Sequence, residues 1–397
     1  MSIVLLGATS GSVTLQEPAV AGTTVIDLPA TSGTMAVLPT ATGVLTEAAG
    51  GTGTTTGYYG FKNRIINGAM VIDQRNAGAS QTPTNTAYML DRYAINVSQT
   101  SKLTQQQNAG SVTPPVGFTK YMGFTSSSAY SVTSTDYFAF YQAIEGLNVA
   151  DLAWGTASAA TVTLSFWVRS SLTGAFGGSL RNGTAARSYP FSYTISSANT
   201  WEQKSVTIVG DTSGTWSTDT GVGLLVGFSL GTGSTFNGTV NTWGAGNYIQ
   251  PSGSTSVVGT SGATFYITGV QLEKGSTATS FDYRPYGTEL DLCYRYYFQS
   301  NQFSTYSPIG VGRAWGSGNG NAPYYLPAAM RSNPTITYSS LSHFDVVTLG
   351  NPTAIQNDGA GTNNVKVGWA KAVTSGNLYQ FEFGNQTNGW LGFSAEL

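Results

Sequence analysis

Charge is what this sequence has least of. Only 9% of its 397 residues are Asp, Glu, Lys or Arg, where an ordinary soluble domain carries about 25%. The 17 Lys and Arg are scattered and nearly cancelled by 19 Asp and Glu, for a net charge of -2. Nucleic-acid binding by counterion release needs clustered cations, so no nucleic-acid partner is expected. Coiled coils and long surface helices need Glu, Lys, Leu and Ala at helical period, and that pattern is missing. Cys293 is the single cysteine and His343 the single histidine, which excludes an intrachain disulfide and zinc sites built on Cys and His. Long apolar runs are absent too. Met1-Ser2-Ile3-Val4-Leu5-Leu6-Gly7 has no basic n-region and too short an apolar run for a signal peptide or a membrane helix. No later stretch approaches the ~20 residues of a span. No membrane insertion is expected, and folding in a cytoplasm is.

Turn formers and rings fill the space. Gly contributes 50 residues, Tyr 22, Phe 18 and Trp 8, and hydrophobic residues make up 40%. Such a chain can bury a core, and its Gly, Thr, Val and aromatic content predicts β-structure with many turns. The first ~55 residues carry a beat of their own. Gly11, Gly22, Gly33 and Gly43 recur at intervals of 11, 11 and 10, with Pro18, Pro29 and Pro39 between them. Strands this short cannot cover their own apolar face. Three chains around one axis could, and a flexible linker is the alternative. Gly50-Gly51-Thr52-Gly53 then reads as a joint.

Alternation marks strands at Thr161–Val168, Lys204–Val209 and Phe265–Leu272, with a more continuous buried strand at Gly223–Phe228. Gly, Ser and Asn clusters separate them in the rhythm of a sandwich or jelly roll. Thr288–Phe298 reads as a helix, with Thr288 as cap, Glu289 and Asp291 in the first turn, and Leu290, Cys293, Tyr294 and Tyr297 at helical spacing. Cys293 fits its inner face as a buried small residue. Short strands around Val311, Ile336, Val346, Val365, Phe381 and Leu391 follow. The predicted fold is all-β, in four parts: 1–57 a short shaft and anchor, 58–287 a jelly-roll β-sandwich, 288–298 a connecting helix, and 299–397 a small C-terminal β-sandwich.

Three segments carry a family likeness. The first is Phe61-Lys62-Asn63-Arg64-Ile65-Ile66-Asn67-Gly68-Ala69-Met70, with Asp73-Gln74-Arg75 and Leu90-Asp91-Arg92-Tyr93. The second is Phe265–Gly275, leading to Phe281-Asp282-Tyr283-Arg284-Pro285 and Glu289-Leu290. The third is Phe393-Ser394-Ala395-Glu396-Leu397. Together they resemble tail-fibre and fibre-tip proteins of tailed bacteriophages, including phages of cyanobacteria. The block from ~60 to ~287 resembles the carbohydrate-binding-module-like jelly roll of such fibres, and the Gly50–Gly53 joint resembles a fibre-shaft motif. The resemblance implies an intertwined homotrimer that is part of the virion. Its residues 1–57 would attach to a tail, baseplate or capsid protein, and its β-sandwich domains would contact host surface polysaccharide. A head-attached decoration fibre of the same build is the alternative, and a glycan-degrading depolymerase a second one. Sparse charge and short unpaired strands agree with subunits that cover one another's edges.

Catalysis finds little to work with. Glycoside hydrolysis needs two carboxylates facing each other across a sugar. Glu289 and Asp291 fall on different helix faces, and Asp211 and Asp219 flank a Ser/Thr-rich turn where solvation is expected. His343, in Ser342-His343-Phe344-Asp345, comes with no nucleophile elbow. The expectation is a protein without enzyme activity or cofactor. A structural calcium ion is the one exception considered, with Asp73 and Asp91 supplying hard oxygen ligands. Sugar binding is better supplied, because it combines a ring face with Asn, Gln, Asp or Arg hydrogen bonds. Three loop-like stretches hold that mixture: Trp243 and Tyr248 in 241–248; Arg313 and Trp315 in 313–321, followed by Tyr324 and Tyr325; and Asn388 with Trp390 in 385–390. Each ring has an ordinary alternative, packing under its own loop or at a subunit contact.

Overall fold

The computed structural model describes residues 3–6, 12–15, 61–302 and 304–397. The glycine beat beyond Ile3–Leu6 and Ser12–Leu15, and the Gly50–Gly53 joint, lie outside these residues. Those two strands pair antiparallel, Ile3 facing Leu15 and Leu6 facing Ser12. Tyr59–Leu397 form a separate compact unit.

That unit holds two β-sandwiches. The first packs a seven-stranded sheet on a five-stranded one. The seven-stranded sheet runs Gly244–Ala245, Arg187–Ile195, Gly174–Arg181, Val222–Thr232, Tyr137–Glu145, Tyr93–Val97 and Ala87–Leu90. The five-stranded sheet runs Glu202–Ile208, Val162–Ser170, Thr264–Lys274, Met122–Ser126 and Leu103–Gln107. The three strands read from alternation and the one read from its continuous apolar run are all present: Val162–Ser170, Glu202–Ile208, Thr264–Lys274 and Val222–Thr232. The reason is visible in the burial. Leu164, Phe166 and Val168 from one sheet, and Leu224, Val226 and Phe228 from the other, bring every second residue into one core. Phe140 sits at its centre, 4.7 Å from the Phe124 ring and 5.3 Å from Phe228.

The second sandwich has a three-stranded sheet (Tyr297–Asn301, Trp390–Ser394, Thr335–Tyr338) and a six-stranded one. Trp369, Phe344, Phe381 and Phe393 fill its core. Among the described residues there is one α-helix, and it differs from the sequence reading. It spans Tyr286–Tyr294, with Pro285 rather than Thr288 at its N-cap. It stops short of Phe298 because Tyr297–Asn301 pairs with Trp390–Ser394, and that ladder overrides the helical spacing of Tyr297. Cys293 is fully buried, as its spacing predicts.

Asp136 pins the loop that crosses the end of the first sandwich. It accepts hydrogen bonds from the Ser98 hydroxyl (2.8 Å), the Tyr130 hydroxyl (2.9 Å) and both the N–H and hydroxyl of Thr133 (2.8 Å each). Burial alone would raise its carboxyl pKa, but these donors outweigh it and hold the group well below its ordinary value of 3.8. A depressed carboxylate contributes stability that is complete above that ordinary value and lost as pH falls below it. Asp136→Asn is therefore expected to cost about 2 kcal/mol at pH 7. In urea titrations the gap between wild type and variant should narrow on acidification below the ordinary value. A gap that stayed constant from neutral to acid pH would refute this role.

Candidate functional site

The face of the seven-stranded sheet turned away from the core differs in kind from the inner one. One row across it reads Ala94, Tyr141, Gly227, Ser179 and Pro190, each facing the next. Small and polar residues take the positions that Phe and Leu hold on the inner side. Residues 237–252 fold over this face from the edge. Gly177 makes the close approach feasible, since a Cβ there would stand 2.7 Å from the Pro251 ring. Beside it Arg181, 6% exposed, donates from Nη1 to Asn247 Oδ1 at 2.7 Å. Burial lowers the Arg181 pKa to about 10. Its Nε, together with Ser179 Oγ and Asn96 Oδ1 on the same face, has no hydrogen-bond partner. Native proteins seldom leave buried polar atoms unpaired.

Between strand Arg187–Ile195 and the overlying segment lies an open cleft of about 670 Å³, lined by Ser192, Asn237, Thr239, Thr242, Trp243 and Tyr248 among others. The sequence candidates Trp243 and Tyr248 thus meet in one place. Trp243 is held from behind. Its ring lies 5.3 Å from Trp154, 5.4 Å from Trp216 and 5.2 Å from Tyr189, and its Nε1–H donates to the Val209 carbonyl at 2.7 Å. Tyr248 is flanked by Gly238, Gly244 and Gly246, and a Cβ at Gly238 or Gly246 would press on its ring at 2.7 and 2.9 Å. Two half-buried, fixed rings with Ser, Thr and Asn between them can stack on a sugar face and hydrogen-bond its rim.

The other candidates scatter. Arg313, Trp315 (56% exposed) and Tyr325 (77% exposed) sit on the outward side of the hairpin Pro308–Tyr325. Tyr324 does not join them. Strand alternation turns it inward, where its ring stacks 4.9 Å from Phe393. Asn388 is exposed on the 384–389 loop, and Trp390 is half-buried on the outward face of the three-stranded sheet.

Asp73 and Asp91 do not form a calcium ligand set. Asp73 accepts the backbone N–H groups of Asn76 (3.0 Å) and Gly78 (2.8 Å). Asp91 accepts the backbone N–H and side-chain amide of Gln74 (2.6 and 2.7 Å). Burial raises both pKa values, that of Asp91 to about 6, against the pull of Arg75 and these hydrogen bonds. Carboxyl oxygens already taken by turn donors have little left to offer a hard cation. Among the described residues no three His, Cys, Asp or Glu side chains converge.

Three of the acidic residues considered for catalysis, Asp211, Asp219 and Glu289, hold local structure together, and Asp291 is exposed on the helix. Asp211 is not solvated as the sequence suggested. It is buried and takes a bidentate pair from Arg187, 2.7 Å on each side. Asp219 accepts the Gly221 N–H and caps its own turn. Glu289 is buried, accepting from the Asn67 N–H and pairing with Arg284 at 3.1 Å. His343 Nδ1 lies 2.8 Å from Ser339 Oγ, which also accepts the Trp390 N–H at 3.1 Å, and so ties a loop to a strand.

The three segments that carry the family likeness converge. The Asn63 side chain bonds the Val270 carbonyl and the Leu272 N–H, both at 3.0 Å. Asn67 bridges Ile72 and Asp91. Arg92 pairs with Glu396 and stacks on Tyr296 at 3.5 Å. Gln74 donates to the Tyr297 carbonyl at 3.0 Å and accepts the Gln299 N–H at 3.2 Å, joining one sandwich to the other. These contacts build a buried polar knot.

No family model matches the chain, and no curated protein does. Among solved structures it is similar to a family 4 carbohydrate-binding module, at 14% identity and a TM-score of 0.26, covering 53% of this chain and 99% of that one. It is also similar to a family 11 module from Clostridium thermocellum in complex with a β-1,3-1,4-mixed-linked tetrasaccharide, at 11% identity and a TM-score of 0.26, covering 51% and 100%. A family 61 module in complex with β-1,4-galactotriose follows at 8% identity and a TM-score of 0.24, covering 46% and 88%. At such values the reading of this chain rests on its own geometry.

Proposed function

We propose that this chain is a non-enzymatic structural protein of a phage fibre, a homotrimer that attaches to the virion through residues 1–57 and binds host surface polysaccharide through its first sandwich. The observation that carries the binding reading is the cleft bounded by Trp243, held from behind by rings and a hydrogen bond, and by Tyr248, with small polar side chains between them. The fibre reading is supported by the three signature segments, and the scarcity of charge suits a surface that touches neutral glycan and sister subunits.

Calorimetry of the full chain with cellohexaose, xylohexaose, laminarihexaose and β-1,4-galactotriose tests the binding. Trp243→Ala is expected to weaken the best of these by about tenfold or more, roughly 1.4 kcal/mol. Absence of binding by wild type, or an unchanged affinity in the variant, would sink the assignment to this cleft. Light scattering at micromolar concentration tests the trimer, which a monomeric mass would overturn.

A further inference from the structure

A second cleft of about 480 Å³ lies between the two sandwiches, away from Trp243. Its floor is the outward face of the three-stranded sheet. Register sets that face: Gln299, Gly392 and Thr337 share one row, and Asn301 faces Trp390 in the next. Gly392 at the centre lets three side chains converge beneath the cleft. A Cβ there would stand 2.7 Å from the Thr337 hydroxyl, 2.8 Å from the Tyr297 hydroxyl and 3.4 Å from the Trp390 ring. Trp390 closes one end. Tyr297, with the Arg75 guanidinium 3.5 Å from its ring centre, closes the other. The facing wall comes from the first sandwich, through Gln81, Thr82 and Thr84.

The chemistry of this cleft is that of a polyol receptor. It has one half-buried indole, on which a flat apolar ring face can rest, among the hydroxyls and amides of Thr337, Gln299, Thr82, Thr84 and Gln81. The side chains of Thr337, Thr82, Thr84 and Gln81 carry no partner among the described residues, so their donors and acceptors are free to meet hydroxyls. The charges beneath it balance: Arg75 and Arg92 stand against Asp91 and Glu396. Arg75 is the one charged residue of the lining, and Glu396 and Asp91 pair with it. Its volume lies in the range of small-ligand sites, about 300–1,000 Å³, and matches a short oligosaccharide. Gln74 and the pairs around Glu396 hold the two walls together, so the site is formed in advance of binding.

We infer that the cleft between Trp390, Gln299 and Thr337 on one side and Gln81–Thr84 on the other is a second saccharide site, for a neutral oligosaccharide. It stands on its own residues and does not depend on binding at Trp243.

The test uses the full chain labelled with 5-fluorotryptophan and fluorine NMR, with the Trp390 and Trp243 signals assigned from Trp390→Phe and Trp243→Phe. Cellohexaose, xylohexaose, laminarihexaose and β-1,4-galactotriose are added at millimolar concentration. The Trp390 signal is expected to shift with at least one of them. The shift should persist in Trp243→Ala, and its midpoint should move by about tenfold or more in Thr337→Arg, which fills the cleft from an exposed position and spares the core. No shift with any probe overturns the inference, as does a shift that vanishes in Trp243→Ala. If Thr337→Arg instead changes the oligomeric mass by light scattering and leaves the saccharide response intact, the face is a contact between copies and the inference fails. A silent Trp243 with a responsive Trp390 would refute the first cleft and leave the second standing.

Discussion

Glu396→Ala is expected to lower the stability of the 59–397 unit by about 3–5 kcal/mol, the usual cost of leaving a buried charge without its partner. The Glu396 side chain is 5% exposed and pairs with Arg92, which is 1% exposed, and with Arg75 at 3.0 Å. Arg92 has little else to neutralise it. It stacks on Tyr296 and donates to the Ala143 carbonyl at 2.6 Å. Burial would lower its pKa, and the Glu396 carboxylate reverses that and raises it. Removing the carboxylate strands the guanidinium, whereas removing both partners does not. The double variant Arg92→Met/Glu396→Leu should therefore recover most of the loss, because well-packed apolar replacements of a buried pair are often close to neutral. Urea unfolding of wild type, both single variants and the double variant gives the coupling energy, expected to exceed about 1.5 kcal/mol. Single variants that each cost under about 1 kcal/mol would place this pair with ordinary surface ion pairs.

Phe140→Ala is expected to cost about 3–5 kcal/mol by cavity formation in the first sandwich. Phe140 is 1% exposed and contacts rings from both sheets, Phe228 within its own and Phe124 and Phe265 in the facing one. No neighbour can collapse into the space without leaving its own stack, so the void should persist. Tyr325→Ala is the control, since that ring is 77% exposed and surface substitutions of this kind stay within about 0.5 kcal/mol. Equal losses in the two variants would contradict the assignment of Phe140 to the core.

What the sequence made legible follows from which forces are local. Alternation is local, so Val162–Ser170 and Thr264–Lys274 were readable within a residue or two. The end of the helix was not, because Tyr297 is claimed by a strand almost 100 residues downstream, and nothing nearby in sequence announces Trp390–Ser394 as its partner. The same limit explains Asp211. A Ser/Thr-rich context reads as solvated, while Arg187 buries the carboxylate from a neighbouring strand. Trp243 and Tyr248 were legible as candidates because a ring amid Thr, Gly and Asn is itself a local signal. Tyr324 and Tyr325 could have been told apart by the period of two applied to Asn319–Tyr325. Arg181 and Gly392 gave less warning. An arginine closing a Gly-rich strand, and a glycine between Trp390 and Phe393, gain meaning only once cross-strand neighbours are known.

The pairing of Arg92 with Glu396 also sets a schedule. The two residues are 304 positions apart. At ribosomal rates of about 5–20 residues per second, roughly 15–60 s pass between their syntheses. The first sandwich therefore emerges with a guanidinium seat prepared and no carboxylate to fill it. Its neighbouring strand, Tyr93–Val97, docks early only at the expense of an uncompensated charge. The arrival of 393–397 then closes a contact across nearly the whole unit, at an entropic cost that grows only slowly with loop length. A nascent chain halted before Glu396 would keep that seat open, and with it the edge of the seven-stranded sheet.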